Sequence, residues 1–118
     1  MQPPFTLKTH GQGLTEFTGQ VAQWLAGRGD GLLTLMVRHT SASLLIQENA
    51  DPDVQHDLYA YFAKLVPPSS YPSMGYLRHT MEGPDDMPAH IKATMMPVTL
   101  SIPVQMGAMR LGTWQRIY

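Results

Sequence analysis

Three histidines, His39, His79 and His90, stand where polar residues interrupt apolar stretches, the kind of position at element ends where binding and catalytic groups gather. Imidazole changes charge near neutral pH and is a common metal ligand, so each can act as acid, base or ligand. Taken singly, each is equally open to a structural role as a hydrogen-bonded histidine. The densest run of ionisable groups is His79-Thr80-Met81-Glu82-Gly83-Pro84-Asp85-Asp86-Met87-Pro88-Ala89-His90-Ile91-Lys92. No two histidines have the spacing of a local zinc motif on one helix, so a metal site built from His39, His79 and His90 must be assembled by the fold. His10 and His56 lack such company and read as surface residues.

Among the carboxylates, Asp51, Asp57, Asp85 and Asp86 could bind magnesium or orient a histidine. Asp51 and Asp86 read first as helix caps. Asp57 lies off the apolar stripe of its helix, so it is either solvated or aimed at the His39 end of the neighbouring strand. Arg78 and Lys92 bracket the polar run, where cations and helix amides can hold a phosphate or carboxylate. Arg38, Arg110 and Arg116 read as ordinary surface charge. There is no phosphate loop, dinucleotide fingerprint or serine elbow. From the residues alone the chain carries a small polar site with histidine as acid, base or ligand, and the reaction stays open.

The elements that must position these groups follow from period and punctuation. Gly83-Pro84 sets a turn, and Asp86 with Pro88 predicts a helix start, with His90 just inside its positive end. Phe5 to His10 alternates like a strand, and Thr15 looks like the N-cap of a helix carrying Phe17, Val21, Trp24 and Leu25. Leu32 to Val37 predicts a strand covered on both faces, and Leu44 to Glu48 a second one. Asp51-Pro52 opens a helix whose buried stripe is Val54, Leu58, Tyr61, Phe62 and Leu65. Val66 to Tyr76, rich in proline and serine, predicts irregular structure. Val98 to Val104 is a strand, Gln105 to Ala108 a hairpin connection, and Met109 to Tyr118 the return strand. The expectation is one α+β domain spanning 1–118, compact, with a mostly antiparallel sheet and two or three helices.

Composition narrows the function classes. The chain has 118 residues, 43% hydrophobic and 14% charged, which is globular rather than disordered. Its formal net charge of -1 offers no whole-molecule attraction for nucleic acid or an anionic membrane. No cysteine is present, which excludes disulfides, zinc knuckles and thiol nucleophiles. The N-terminus carries no signal-peptide pattern and no apolar run is long enough to span a bilayer, so a soluble, cytoplasmic protein is expected. Sparse charge on so small a domain raises the expectation of self-association. Ending on Arg116-Ile117-Tyr118 without a polar tail predicts a missing C-terminal segment and an open sheet edge.

Three blocks are more specific. His39-Thr40-Ser41-Ala42-Ser43-Leu44 with Gln47-Glu48-Asn49-Ala50-Asp51-Pro52, then Met81 through Lys92, then Leu111-Gly112-Thr113-Trp114-Gln115, resemble the YjbQ family of small bacterial and archaeal proteins, in the right order and over nearly the whole chain. The resemblance implies a YjbQ-like α+β fold, a homotrimer, and an activity like that of secondary thiamine-phosphate synthases, which condense a hydroxymethylpyrimidine pyrophosphate with a thiazole phosphate. It implies small phosphorylated metabolites as partners. Its polar signature falls on His39, Thr40, Ser41, Asn49, Asp51, Asp57, His79, Asp86, His90, Lys92 and Gln115. On this reading His39, Asp57, His79, Asp86 and His90 are catalytic, while Thr40, Ser41, Asn49, Arg78, Lys92 and Gln115 bind substrate. A divalent ion is an expected cofactor, magnesium on Asp51, Asp57 or Asp86, or zinc or another divalent ion on His39, His79 and His90. A metal-dependent hydrolase of a small substrate and a non-catalytic trimeric metabolite-binding protein are the alternatives. Two departures stand out: Met95-Met96-Pro97 replaces a glycine-containing turn, and the family's final strand, with its acidic and arginine residues, is expected to be missing after Tyr118.

Overall fold

An apolar stripe on one short helix organises the core. In the computed structural model, which describes residues 5–118, helix α1 spans Thr18–Leu25. Phe17, at its start, recurs through Val21 and Leu25 at four-residue spacing, and all three are buried. The stripe lies on a three-stranded sheet made of β1 (Gly31–Met36), β3 (Thr99–Gln105) and β4 (Ala108–Met109), in the order β1-β3-β4. Leu33 faces Ile102 in the β1–β3 register, and Ile102 is 2% exposed. Val104, Leu44 and Ile117 complete the buried cluster. A second sheet pairs β2 (Ile46–Glu48) with β5 (Gln115–Ile117). Every strand pair is antiparallel, and helices α2 (Pro52–Leu65) and α3 (Asp86–Met95) make the fold α+β, as expected. The molecule is a slab measuring 52 × 34 × 20 Å.

The exit from α1 and the β3–β4 hairpin are built as one joint. Met106 and Gly107 both take positive φ, 52° and 76°, as a two-residue hairpin turn demands. The Met106 amide donates to Asp30 Oδ1 at 2.6 Å and the Gly107 amide to the Gly29 carbonyl at 2.8 Å. A Cβ on Gly107 would lie 3.0 Å from the Gly27 nitrogen and 3.2 Å from the Leu25 carbonyl oxygen. Glycine is required there by backbone conformation and by space together.

Several elements differ from expectation. Residues 5–10 form no strand, because alternation alone makes an extended segment without supplying a pairing edge. Thr15 does not cap α1: Phe17 occupies the cap position without a side-chain hydrogen bond, and Thr18 Oγ1 instead accepts from the Ile117 amide at 2.8 Å. β1 is covered on one face only, since a single helix packs on the sheet. Leu33 is buried while Leu32 and Met36 stay 66% and 67% exposed. β2 starts at Ile46, although Leu45 and Tyr118 still exchange backbone hydrogen bonds beside it. The return from the hairpin breaks after Met109, and β5 crosses to pair with β2.

α2 begins as the sequence dictates. Asp51 Oδ1 accepts from the Asp53 amide at 2.9 Å and Pro52 fills the first turn. Its expected buried stripe is not buried: Val54, Leu58 and Phe62 are half-covered, and Tyr61 and Leu65 are exposed. No residue of the helix is fully buried. Gln55 fastens it instead, donating from Nε2 to Tyr118 Oη at 2.7 Å. Val66 to Tyr76 is irregular apart from one 3-10 turn, Pro72–Met74. No helix among the described residues is long and apolar enough to cross a membrane.

Candidate functional site

α3 and the loop before it bring two of the three histidines together. The Ser69 amide donates to the Pro84 carbonyl at 2.8 Å, tying the proline-rich segment to the turn that starts α3. Gly83, with φ of 105°, lets the chain double back there. Asp86 is the first residue of α3 and His90 follows one turn later, so both project from one helix face. Across from them, in the preceding loop, stands His79.

One carboxylate oxygen joins all three. His79 Nε2–H donates to Asp86 Oδ2 at 2.6 Å, and His90 Nε2 lies 3.2 Å from the same oxygen. The rings of His79 and His90 meet edge to face, 5.5 Å between centroids. Ligand atoms of His79, Asp86 and His90 all lie within 4.8 Å of one another. The hydrogen bond from His79 holds the Asp86 carboxyl below the ordinary carboxylate range; the charges of His90 and His79 act in the same direction, and partial burial opposes them.

His90 is oriented from the loop that follows β1. Its Nδ1 lies 3.0 Å from the carbonyl oxygen of Thr40, just beyond β1. A carbonyl can only accept, so Nδ1 carries the hydrogen and donates, and in the neutral ring Nε2 is a bare lone pair. That lone pair faces an anionic oxygen at 3.2 Å. Two acceptors so close need a cation between them, either a proton on Nε2 or a metal ion. A carbonyl behind a ligating imidazole is also the usual arrangement that fixes its tautomer in metal sites. The 3.2 Å separation matches the ~3.3 Å spanned by two ligands of a tetrahedral ion with bonds of ~2.0 Å. The shorter His79 contact is the length of a charge-assisted hydrogen bond, so His79 would open by a few tenths of an ångström, to about 3 Å or more, to share an ion.

The remaining candidates fall elsewhere. The His39 ring makes no described contact with His79 or His90; its Nδ1 accepts from the Ser41 amide at 3.1 Å and from Ser41 Oγ at 3.0 Å. Thr40 touches the group through its backbone, not its hydroxyl. Asp57 is solvated and 3.0 Å from His56, so the alternative in which it reaches toward His39 does not hold. Asp86 is not a cap: Asp85 holds that position without a side-chain hydrogen bond, and among the described residues no side chain accepts from the first amides of α3. Arg78 is exposed and makes no hydrogen bond or ion pair among the described residues.

Lys92 lies about 200° around α3 from His90, on the opposite side. Its Nζ donates to Gln12 Oε1 at 2.9 Å, and Gln12 Nε2 in turn to the Tyr59 carbonyl at 3.3 Å. Burial lowers the Lys92 pKa, with the Asp85 charge working against it. Asn49 donates to Glu16 Oε1 at 2.7 Å, and Gln115 Oε1 accepts from the Gly112 amide at 2.6 Å. Both hold the ends of the second sheet. The Thr40 carbonyl is the participant that sequence reasoning missed, and Gln12 is the unforeseen partner of Lys92 on the far side of α3. Gln12 sits in a Gly11-Gln12-Gly13 turn that gives no hint of a partner, and a backbone oxygen has no residue-type signal at all.

The chain matches the family described as UPF0047 protein YjbQ-like over residues 4–118. It is 44% identical over 119 residues to UPF0047 protein sll1880 of Synechocystis sp., covering 99% of this chain and 78% of that protein. It is 40% identical over 120 residues to UPF0047 protein YjbQ of Escherichia coli O157:H7, covering 99% and 83%. Among solved structures, the conserved hypothetical protein TT1486 of Thermus thermophilus superposes with a TM-score of 0.80 at 37% identity, covering 92% of this chain and 80% of that one. APE1520 of Aeropyrum pernix K1 gives 0.79 at 33%, covering 96% and 81%. With family match, sequence identity and fold in agreement, the chain belongs to the YjbQ-like UPF0047 family.

Proposed function

We propose that the protein is a cytoplasmic, divalent-metal-dependent transferase that joins a hydroxymethylpyrimidine pyrophosphate to a thiazole phosphate, the activity its resemblance to secondary thiamine-phosphate synthases implies. The observation that carries the metal-dependent part is the single Asp86 oxygen shared by His79 and His90, with His90 Nδ1 committed to the Thr40 carbonyl so that Nε2 is the nitrogen turned toward that oxygen. Two imidazoles and a carboxylate suit zinc or another borderline ion better than magnesium, which favours oxygen ligands. When bound, the ion would neutralise charge on the departing pyrophosphate. The chain's own residues do the rest. Thr40 holds the His90 ring with Nε2 toward Asp86, Asp86 joins the loop to the helix, and exposed Arg78, next to His79 in the chain, would offer a guanidinium to phosphate oxygens. The uncapped first amides of α3 add positive potential on the same side.

Assembly as a homotrimer belongs to the same reading. Leu32 and Met36 lie on the uncovered face of the sheet and Trp114 is 59% exposed, apolar side chains that a neighbouring chain would cover.

The test is a steady-state assay of the full chain with both substrates and added zinc or magnesium. Product should form at a rate that Asp86→Asn lowers at least 100-fold, more than the roughly 10–100-fold typical of losing a group behind a metal ligand. No product above the Asp86→Asn background would overturn the proposal. Hydrolysis is the second reading, favoured by the solvent access that a 45%-exposed His79 side chain leaves at the cluster. Pyrophosphate release that ignores the thiazole phosphate would select it, and tight ligand binding without turnover would select a metabolite-binding protein.

A further inference from the structure

The peptide around Thr40 controls two histidines in opposite senses. On one side its carbonyl fixes His90 with the hydrogen on Nδ1. On the other, the Ser41 amide donates to His39 Nδ1 at 3.1 Å, and Ser41 Oγ lies 3.0 Å from the same nitrogen. An amide N–H can only donate, so His39 Nδ1 is the bare nitrogen and the hydrogen of the neutral ring sits on Nε2. His39 is exposed, and it is not among the residues whose ligand atoms converge at the His79–Asp86–His90 cluster, while its chain neighbour Thr40 touches that cluster through its carbonyl.

We propose that His39 is an anion-binding residue and not a metal ligand: held by Ser41 as the Nε2–H tautomer, it donates a hydrogen bond to a phosphoryl oxygen of the substrate beside the His79–Asp86–His90 group. The proposal rests on the phosphorylated-substrate reading above and gives it a specific donor. A metal ligand must present a lone pair, and the only lone pair of this ring is occupied by two donors from Ser41. What His39 presents outward is a neutral N–H, which suits an anionic oxygen. His90 is held in the reverse sense: the Thr40 carbonyl takes the Nδ1 hydrogen, and in the neutral ring the lone pair is on Nε2, toward Asp86. One stretch of backbone thereby sorts two chemically identical rings into a ligand and a donor.

Nitrogen-15 spectra of the histidine-labelled full chain, at mildly alkaline pH where an ordinary histidine is neutral, test the proposal. His39 should show a protonated Nε2 and a bare Nδ1. Zinc alone should perturb His79 and His90 and leave the His39 pattern in place. Inorganic pyrophosphate should shift the His39 Nε2–H, and His39→Ala should weaken pyrophosphate binding roughly tenfold, the scale of one hydrogen bond to a charged group. His39→Gln, which keeps an amide donor near the Nε2 position, should recover most of that loss; a merely structural histidine would not be rescued this way. A protonated Nδ1 on His39, zinc uptake lost in His39→Ala as it is in His90→Ala, or unchanged pyrophosphate affinity in His39→Ala would each overturn the proposal. If zinc binds nowhere while the tautomer and the pyrophosphate response hold, the metal reading falls and the assignment of His39 stands.

Discussion

The Asp86 carboxyl is held below the ordinary carboxylate range, first by the His79 hydrogen bond. A lowered acid means that the folded state prefers the carboxylate. Its contribution to stability is therefore complete above the ordinary carboxylate range and disappears as pH falls through Asp86's own lower value. In metal-free protein, urea midpoints of wild type and Asp86→Asn should differ at neutral pH and converge only in acid below that range. A gap that closes instead near neutral pH would place the coupling on another group. At this scale His79, Asp86 and His90 stand out in the sequence because they bracket one glycine-proline turn. Residue type could not tell a capping carboxylate from one seated a residue further in, since both are aspartates at a helix start. The distinction is made by what stands opposite, and His79 stands opposite only after the loop has folded.

Elements whose signals are local were legible, and those whose identity depends on a distant partner were not. The α2 start follows from Asp51 and Pro52 alone. The β3–β4 turn follows from Met106-Gly107 between apolar strands. Residues 5–10 alternate as well as many strands do but meet no edge, and the apolar positions of α2 are periodic, yet none is fully buried. The joint between α1 and the hairpin carries a sharp prediction. Gly107→Ala adds a Cβ where φ is 76° and the Gly27 nitrogen is 3.0 Å away, so it should lower unfolding free energy by about 1–3 kcal/mol in urea titrations. Gly19→Ala, inside α1 with open space around it, should be neutral or mildly stabilising, which separates strain from a general intolerance of glycine replacement.

For the whole molecule, the Cα radius of gyration is 16.4 Å, against about 13.5 Å for a rounded domain of this length. The slab is only 20 Å through, so it has much surface for its core, and the face bearing Leu32 and Met36 is where the proposed trimer would cover apolar area. Leu32→Glu places a charge on that face. Sedimentation should show the trimer mass falling to that of one chain, with α1 and the β1–β3 pairing intact by circular dichroism. Wild type sedimenting as a single chain would remove this assembly from the account.

The β1–β3 register also has a consequence for how the protein is made. Gly31 pairs with Val104, so roughly 70 residues separate the partners. At synthesis rates of ~5–20 residues per second, an emerging β1 waits on the order of 4–14 s for its mate to leave the ribosome. Throughout that interval Leu32, Leu33, Leu35 and Met36 are a naked adhesive strip on a nascent chain, a natural target for a chaperone and the segment from which inclusion bodies of this protein should grow.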